Sequence, residues 1–90
     1  MQNIILTVNH SVGLHARPAA QFVQTASLFE SEITVANKTK ESDPVNAKSI
    51  LSVLTLGVHQ GYEIEITADG ADAGKALKAL EQLVADNFGE

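Results

Sequence analysis

The stretch Gly13-Leu14-His15-Ala16-Arg17-Pro18-Ala19-Ala20-Gln21-Phe22-Val23 holds the change of pattern on which the fold turns. Before it, Ile4 to Val8 is apolar and largely β-branched, with Leu6 and Val8 on one face and Thr7 on the other. That period of two makes a strand. After it, Ala19, Phe22, Val23 and Ala26 recur at helical spacing and define the apolar face of an amphipathic helix. Pro18 suits a first helical turn, so the helix begins near His15 or Ala16. Asn9 to Gly13 supplies the turn between them.

Outward from this join the same two periods alternate. Ile33 and Val35 alternate with Glu32 and Thr34 in a second strand, Asn37 to Pro44 is a polar turn, and Val45 returns in a short third strand. Ser49 precedes the apolar run Ile50 to Leu56 and Gly57 follows it, as the start and stop of a short helix. Tyr62, Ile64 and Ile66 alternate with Glu63, Glu65 and Thr67 in a fourth strand. Ala73, Ala76, Leu77, Leu80, Leu83 and Val84 trace the apolar face of a closing helix. The order is β-α-β-β-α-β-α, and each strand is apolar on one face only. The expected class is α+β: an open-faced β-sandwich, a mainly antiparallel four-stranded sheet covered on one face by three helices. Residues 1–90 read as a single domain, without linker or repeat.

Composition removes several function classes. The chain is 44% hydrophobic and 19% charged, which is ordinary for a folded domain and wrong for a disordered one. A net charge of −5 argues against a sequence-independent nucleic-acid binder. There are no cysteines, so disulfides and thiolate metal sites are excluded. No run approaches the ~20 apolar residues of a membrane helix. Met1 to Leu6 lacks the basic start of a secretory leader. The expectation is a cytoplasmic protein without membrane insertion, nucleic-acid partner, metal or cofactor. His10 and His59 have no partner at ligand spacing and are expected in exposed turns. Glu63 and Glu65 are expected on a solvated strand face.

His15 at a helix start is the informative residue. The first backbone N–H groups of a helix lack internal partners, and the helix dipole adds partial positive charge. An anion carried on His15 would meet the amides of Ala16 and Arg17, as phosphates meet other helix N-termini. Arg17 adds a permanently charged guanidinium suited to phosphate oxygens, and Pro18 fixes the first turn. The same positive field favours the neutral, nucleophilic imidazole. Taken alone, His-x-Arg fits a phosphoryl-accepting site and a helix cap beside a surface arginine equally well.

The run Gly13-Leu14-His15-Ala16-Arg17-Pro18-Ala19-Ala20 resembles the active-site signature of the HPr family of histidine phosphocarriers. The likeness extends through Ala47-Lys48-Ser49-Ile50, Thr55-Leu56-Gly57 and Gln60-Gly61, and the order of elements also matches. The resemblance implies a carrier in the phosphoenolpyruvate-dependent sugar phosphotransferase system. His15 would accept phosphoryl on Nδ1 from phosphorylated enzyme I and pass it to enzyme II A components. It would be a covalent intermediate, with no turnover of free substrates. Arg17 would position the phosphoryl group. Ala20, Lys48, Ile50, Leu51 and Leu54 would form the docking patch, with Leu51 and Leu54 facing outward from a short helix whose Val53 and Leu56 are buried. Ser49 matches the serine that HPr kinase/phosphorylase modifies in many Gram-positive relatives, and it is also the natural N-cap of its helix.

Three departures from the family pattern stand out. Val12 replaces the usual Asn or Ser of the loop, so a side-chain hydrogen bond is lost there. Gln24, Ser27 and Ser52 replace lysines common in enteric relatives, which shifts docking toward apolar contact, Arg17 and Lys48. The hairpin over 39–44 is longer than usual and is expected to lie away from the site. A nitrogen-branch paralogue with regulatory output, a Crh-type regulatory module and an unrelated α+β interaction domain are the alternatives. The Crh type lacks the active histidine that this chain has.

Overall fold

Apolar alternation and helical stripes yield the expected elements in a computed structural model, which describes residues 1–89. They are β1 (Gln2–Thr7), α1 (Ala16–Ala26), β2 (Glu32–Asn37), β3 (Val45–Asn46), α2 (Ile50–Leu54), β4 (Glu63–Asp69) and α3 (Ala73–Ala85). A 3-10 turn, Asn87–Gly89, follows α3. The sheet order is β1-β4-β2-β3, and all three pairings are antiparallel.

Register places most apolar strand positions on one face, with Ile5 the exposed exception opposite Glu65. Ile4 pairs with Ile66 and Leu6 with Ile64 across β1–β4, while Ile33 pairs with Ala68 and Val35 with Ile66 across β2–β4. These residues join Phe22, Val53, Leu77 and Leu80 from the helices in one core. Full burial of each large side chain contributes about 1.5–3 kcal/mol. The opposite face carries Asn3, Glu63, Glu65 and Thr67. There Asn3 Nδ2 donates to Glu65 at 3.1 Å, so the paired glutamates belong to a surface.

The first strand stops at Thr7, one residue short of the expected Val8, yet the pairing does not stop. Val8 N–H donates to the Tyr62 carbonyl at 2.9 Å, and Gly61 N–H donates to the Val8 carbonyl at 2.7 Å. Both chains then turn toward the same end of the sheet. At the other end of the chain, Phe88 takes a left-handed backbone (φ 57°) and is 1% exposed. It closes the core after α3, in a three-residue turn too short for periodicity to anticipate.

A second anchor joins α1 to α3. Asp72 precedes α3 but does not cap it through its side chain. Its carboxylate instead reaches the turn after α1, accepting Glu30 N–H at 2.9 Å, Ser31 N–H at 3.0 Å and the Ser31 hydroxyl. The Ser31 hydroxyl first, and then the Glu30 amide, hold the Asp72 carboxyl below its ordinary value. A depressed folded-state value means that this contribution is present above the unfolded carboxylate range. It is lost as pH falls through the lowered value. Asp72→Asn is expected to lower the urea midpoint at neutral pH, with the gap to wild type closing below about pH 4. A gap that persists undiminished in acid would remove the charge from the explanation.

Candidate phosphoryl-accepting site

The site begins with how the loop before α1 is held. Leu14 N–H donates to the Val58 carbonyl at 3.0 Å, and Gly13 N–H donates to the His10 carbonyl at 2.9 Å. Gly13 has φ +70°, and a Cβ there would lie 2.2 Å from the Val58 oxygen and 2.8 Å from His59 Cα. The loop therefore lies directly on the Val58–His59 backbone, an approach that only glycine permits. Gln60 Nε2 adds a bond to the Asn9 carbonyl at 3.1 Å.

His15 is the N-cap of α1, with extended backbone (φ −131°, ψ 165°), a half-buried ring and no side-chain bond to the helix. Its carbonyl accepts Ala19 N–H at 3.4 Å. The amides of Ala16 and Arg17 belong to the first turn, where intrahelical acceptors are missing. Pro18, next in line, has no N–H at all. Ala16 has φ +50°, a left-handed conformation that costs an L-residue about 1–2 kcal/mol. Such strain persists only where the surroundings dictate it, and here it is adjacent to the candidate nucleophile. Arg17 is exposed and, among the described residues, makes no ion pair. Its guanidinium is free for an incoming anion.

The remaining expected residues fall into two groups. Ile50 (38% exposed), Leu51 (75%) and Leu54 (38%) form an apolar surface on α2. That helix packs beside α1, which carries half-buried Ala20. Val53 and Leu56 are buried as expected. Ser49 caps α2, its hydroxyl accepting Ser52 N–H at 3.3 Å. Lys48 is turned elsewhere: its ammonium donates to the Phe29 carbonyl at 2.6 Å, beyond the far end of α1 from His15. The structure does not bring that charge to the histidine.

One sequence expectation is corrected, and two gain detail. His10 is buried at 5% exposure instead of sitting in an exposed turn. Its Nδ1 accepts Val12 N–H at 3.2 Å, and its ring meets Phe88 edge-on at 5.9 Å. A histidine thus supplies the loop hydrogen bond that Val12 cannot make with its own side chain. His59 is exposed, as expected, but it is not isolated: its ring lies 5.5 Å from that of His15, centroid to centroid. The 39–44 hairpin makes contact with Tyr62 and Glu63, beyond His59 as seen from His15. Thr39 Oγ1 accepts Glu63 N–H at 2.8 Å, and Lys40 Nζ lies 5.9 Å from the centroid of Tyr62, whose ring is edge-on to His59 at 5.3 Å. None of these contacts has a local spacing signal. One compositional signal does exist: residues 1–29 and 44–62 contain no Asp or Glu. The segments that build the site carry none of the chain's acidity.

This arrangement can hold a transient anion on an imidazole and return it to solvent or to a partner. Among the described residues no cluster of three or more His, Cys, Asp or Glu could hold a metal ion. No described helix is long and apolar enough to cross a membrane.

Comparison with known proteins gives a consistent match. A family model described as "PTS HPr component phosphorylation site" matches residues 3–86. The phosphocarrier protein HPr of Xylella fastidiosa is 45% identical over 85 residues, covering 94% of this chain and 92% of that protein. The multiphosphoryl transfer protein of Haemophilus influenzae is 42% identical over 84 residues. That match covers 93% of this chain but spans only 17% of the length of that relative. Among solved structures, HPr-C-His from Thermoanaerobacter tengcongensis superposes with a TM-score of 0.94 at 47% identity, covering 100% of this chain and 98% of that one.

The close approach at Gly13 gives a direct test of how the loop is held. Gly13→Ala combines a disfavoured left-handed backbone with a backbone clash, and is expected to cost about 3 kcal/mol in urea unfolding. A cost below about 0.5 kcal/mol would mean that the loop does not rest on Val58.

Proposed function

The chain belongs to the PTS HPr family, and from that premise we propose that it is a phosphocarrier of the sugar phosphotransferase system with His15 as the phosphoryl acceptor. The observation that carries this reading is the pairing of a half-buried histidine at the mouth of α1 with the unpaired guanidinium of Arg17. In the transfer, the lone pair of the unprotonated His15 nitrogen forms the bond to phosphorus. The bond from phosphorus to the donor breaks, and the donor leaves with its electron pair. The same chemistry in reverse delivers the group onward, because an imidazole is a good leaving group as well as a nucleophile. Arg17 offsets charge on the phosphoryl oxygens, supported by the amides of Ala16 and Arg17 and by the absence of carboxylates in the flanking segments.

The reading includes enzyme I as donor and enzyme II A components as acceptors, in the cytoplasm. It makes the protein a covalent intermediate with no turnover of free substrates. Ile50, Leu51, Leu54 and Ala20 would dock these partners, since clustered exposed apolar residues mark an interaction surface. Lys48, held on the Phe29 carbonyl, would contribute at the margin. Ser49 would be the residue open to HPr kinase/phosphorylase. A phosphate there must displace the Oγ bond to Ser52 N–H, and it would add nearly two negative charges beside the docking surface.

Incubation with phosphoenolpyruvate and enzyme I, followed by mass spectrometry, is expected to find one acid-labile phosphate on His15. His15→Ala should carry none, and Arg17→Ala should transfer about tenfold or more slowly with unfolding unchanged. Label retained in His15→Ala would place the acceptor elsewhere. Leu51→Glu should raise the KM for enzyme I while leaving labelling by the small donor phosphoramidate unaltered. An unchanged KM would remove α2 from the docking surface.

A further inference from the structure

The contact between His15 and His59 carries a consequence for the phosphorylated state. The two residues are 44 positions apart in sequence, yet their rings lie 5.5 Å apart, tilted by 44°. This approach is built in. The loop that ends in His15 is bonded to Val58 and seated against the His59 backbone through Gly13. Tyr62 meets the His59 ring edge-on, and Lys40 from the β2–β3 hairpin lies over the Tyr62 ring. His59 is exposed, and among the described residues it has no carboxylate within ion-pair distance.

We propose that His59 is a second functional histidine of the site, which as an imidazolium holds the phosphoryl group carried on His15. The proposal rests on the carrier reading and assigns the partner of the transferred group within this chain. The groups facing His59 are His15 from the start of α1, Tyr62 from its own segment and, through Tyr62, the Lys40 ammonium; Arg17 stands two residues beyond His15. Each is neutral or cationic, so before transfer nothing anionic rewards a proton on His59. After transfer the situation reverses. His15 then bears a phosphoryl group with up to two negative charges, and a protonated His59 beside it gains a charge-assisted hydrogen bond. No proton has to move between the two rings; His59 takes it from solvent. Phosphorylation of His15 and protonation of His59 are therefore linked, and each favours the other.

The test uses phosphoramidate as donor, which needs no docking partner, and nitrogen-15 NMR of the imidazole rings. On phosphorylation near neutral pH, the doubly protonated fraction of His59 is expected to rise about threefold, the effect of a partly exposed charge pair. His59→Phe retains a packed ring without a proton to donate. It should fold and accept phosphate on His15, and the ratio of wild-type to variant transfer rate should rise as pH falls through roughly 5.5 to 7.5, since the dependence that His15 itself imparts is common to both. His59→Lys, with a fixed charge, should transfer faster than His59→Phe by a ratio that does not change with pH in that range. An unchanged His59 spectrum, or wild-type pH dependence in His59→Phe, overturns the proposal while leaving the carrier reading intact. Phosphate found on a residue other than His15 overturns both.

Discussion

The hydrogen bond from Leu14 N–H to the Val58 carbonyl is the constraint on which the rest of the site depends. It joins the loop before α1 to the segment before β4, two parts of the chain that the sheet brings together through β1–β4 pairing. With Gly13 flush against His59, the loop has one height above the sheet and one direction into the helix. The position of His15 as N-cap follows from that direction. So does its contact with His59. The left-handed backbone of Ala16 fits the same picture: a strained residue between a pinned loop and a proline-fixed helical turn.

Charge distribution completes what geometry starts. The chain is acidic overall, with a formal charge of −5, but its carboxylates begin at Glu30 and are absent again from 44 to 62. The phosphoryl group proposed for His15 would thus meet helix amides, a guanidinium and a second imidazole, with the repelling charges placed on other segments. The net charge of such a small protein says little about its functional surface; the spacing of its acids along the chain says much more.

Much of this was legible in the residues. Ile33 and Val35, Tyr62 to Thr67 and the stripe from Ala19 to Ala26 disclosed strands and helix because each period repeats within a few positions. His15 was legible as an N-cap because Pro18 bounds where the helix can begin. Ser49 bounded the start of α2 in the same way, although the helix ends at Leu54 with Thr55 as its cap, before Gly57, and the exposure of Leu51 and Leu54 followed from the burial of Val53. Periodicity is blind, however, to which loops touch. His10 looked like a turn residue, yet it is buried against Phe88, an isolated aromatic beyond the last helical stripe. The 39–44 hairpin looked remote and stands two ring contacts away from His15, with Lys40 over Tyr62. Lys48 looked like part of a charged docking edge, but a nearby carbonyl holds its ammonium. Each of these depends on tertiary contact across the sheet, which no local window contains.

The relation of His15 to its helix and to His59 follows from the seating of its loop on the Val58–His59 backbone. Amide hydrogen exchange at Leu14 measures this directly. Protection comparable to that of the paired amides of β1 and β4 is the predicted result, because the bond to Val58 should open only with the sheet. Exchange of Leu14 as fast as that of an unprotected loop amide would contradict it, and the fixed relation of His15 to its helix and to His59 would go with it.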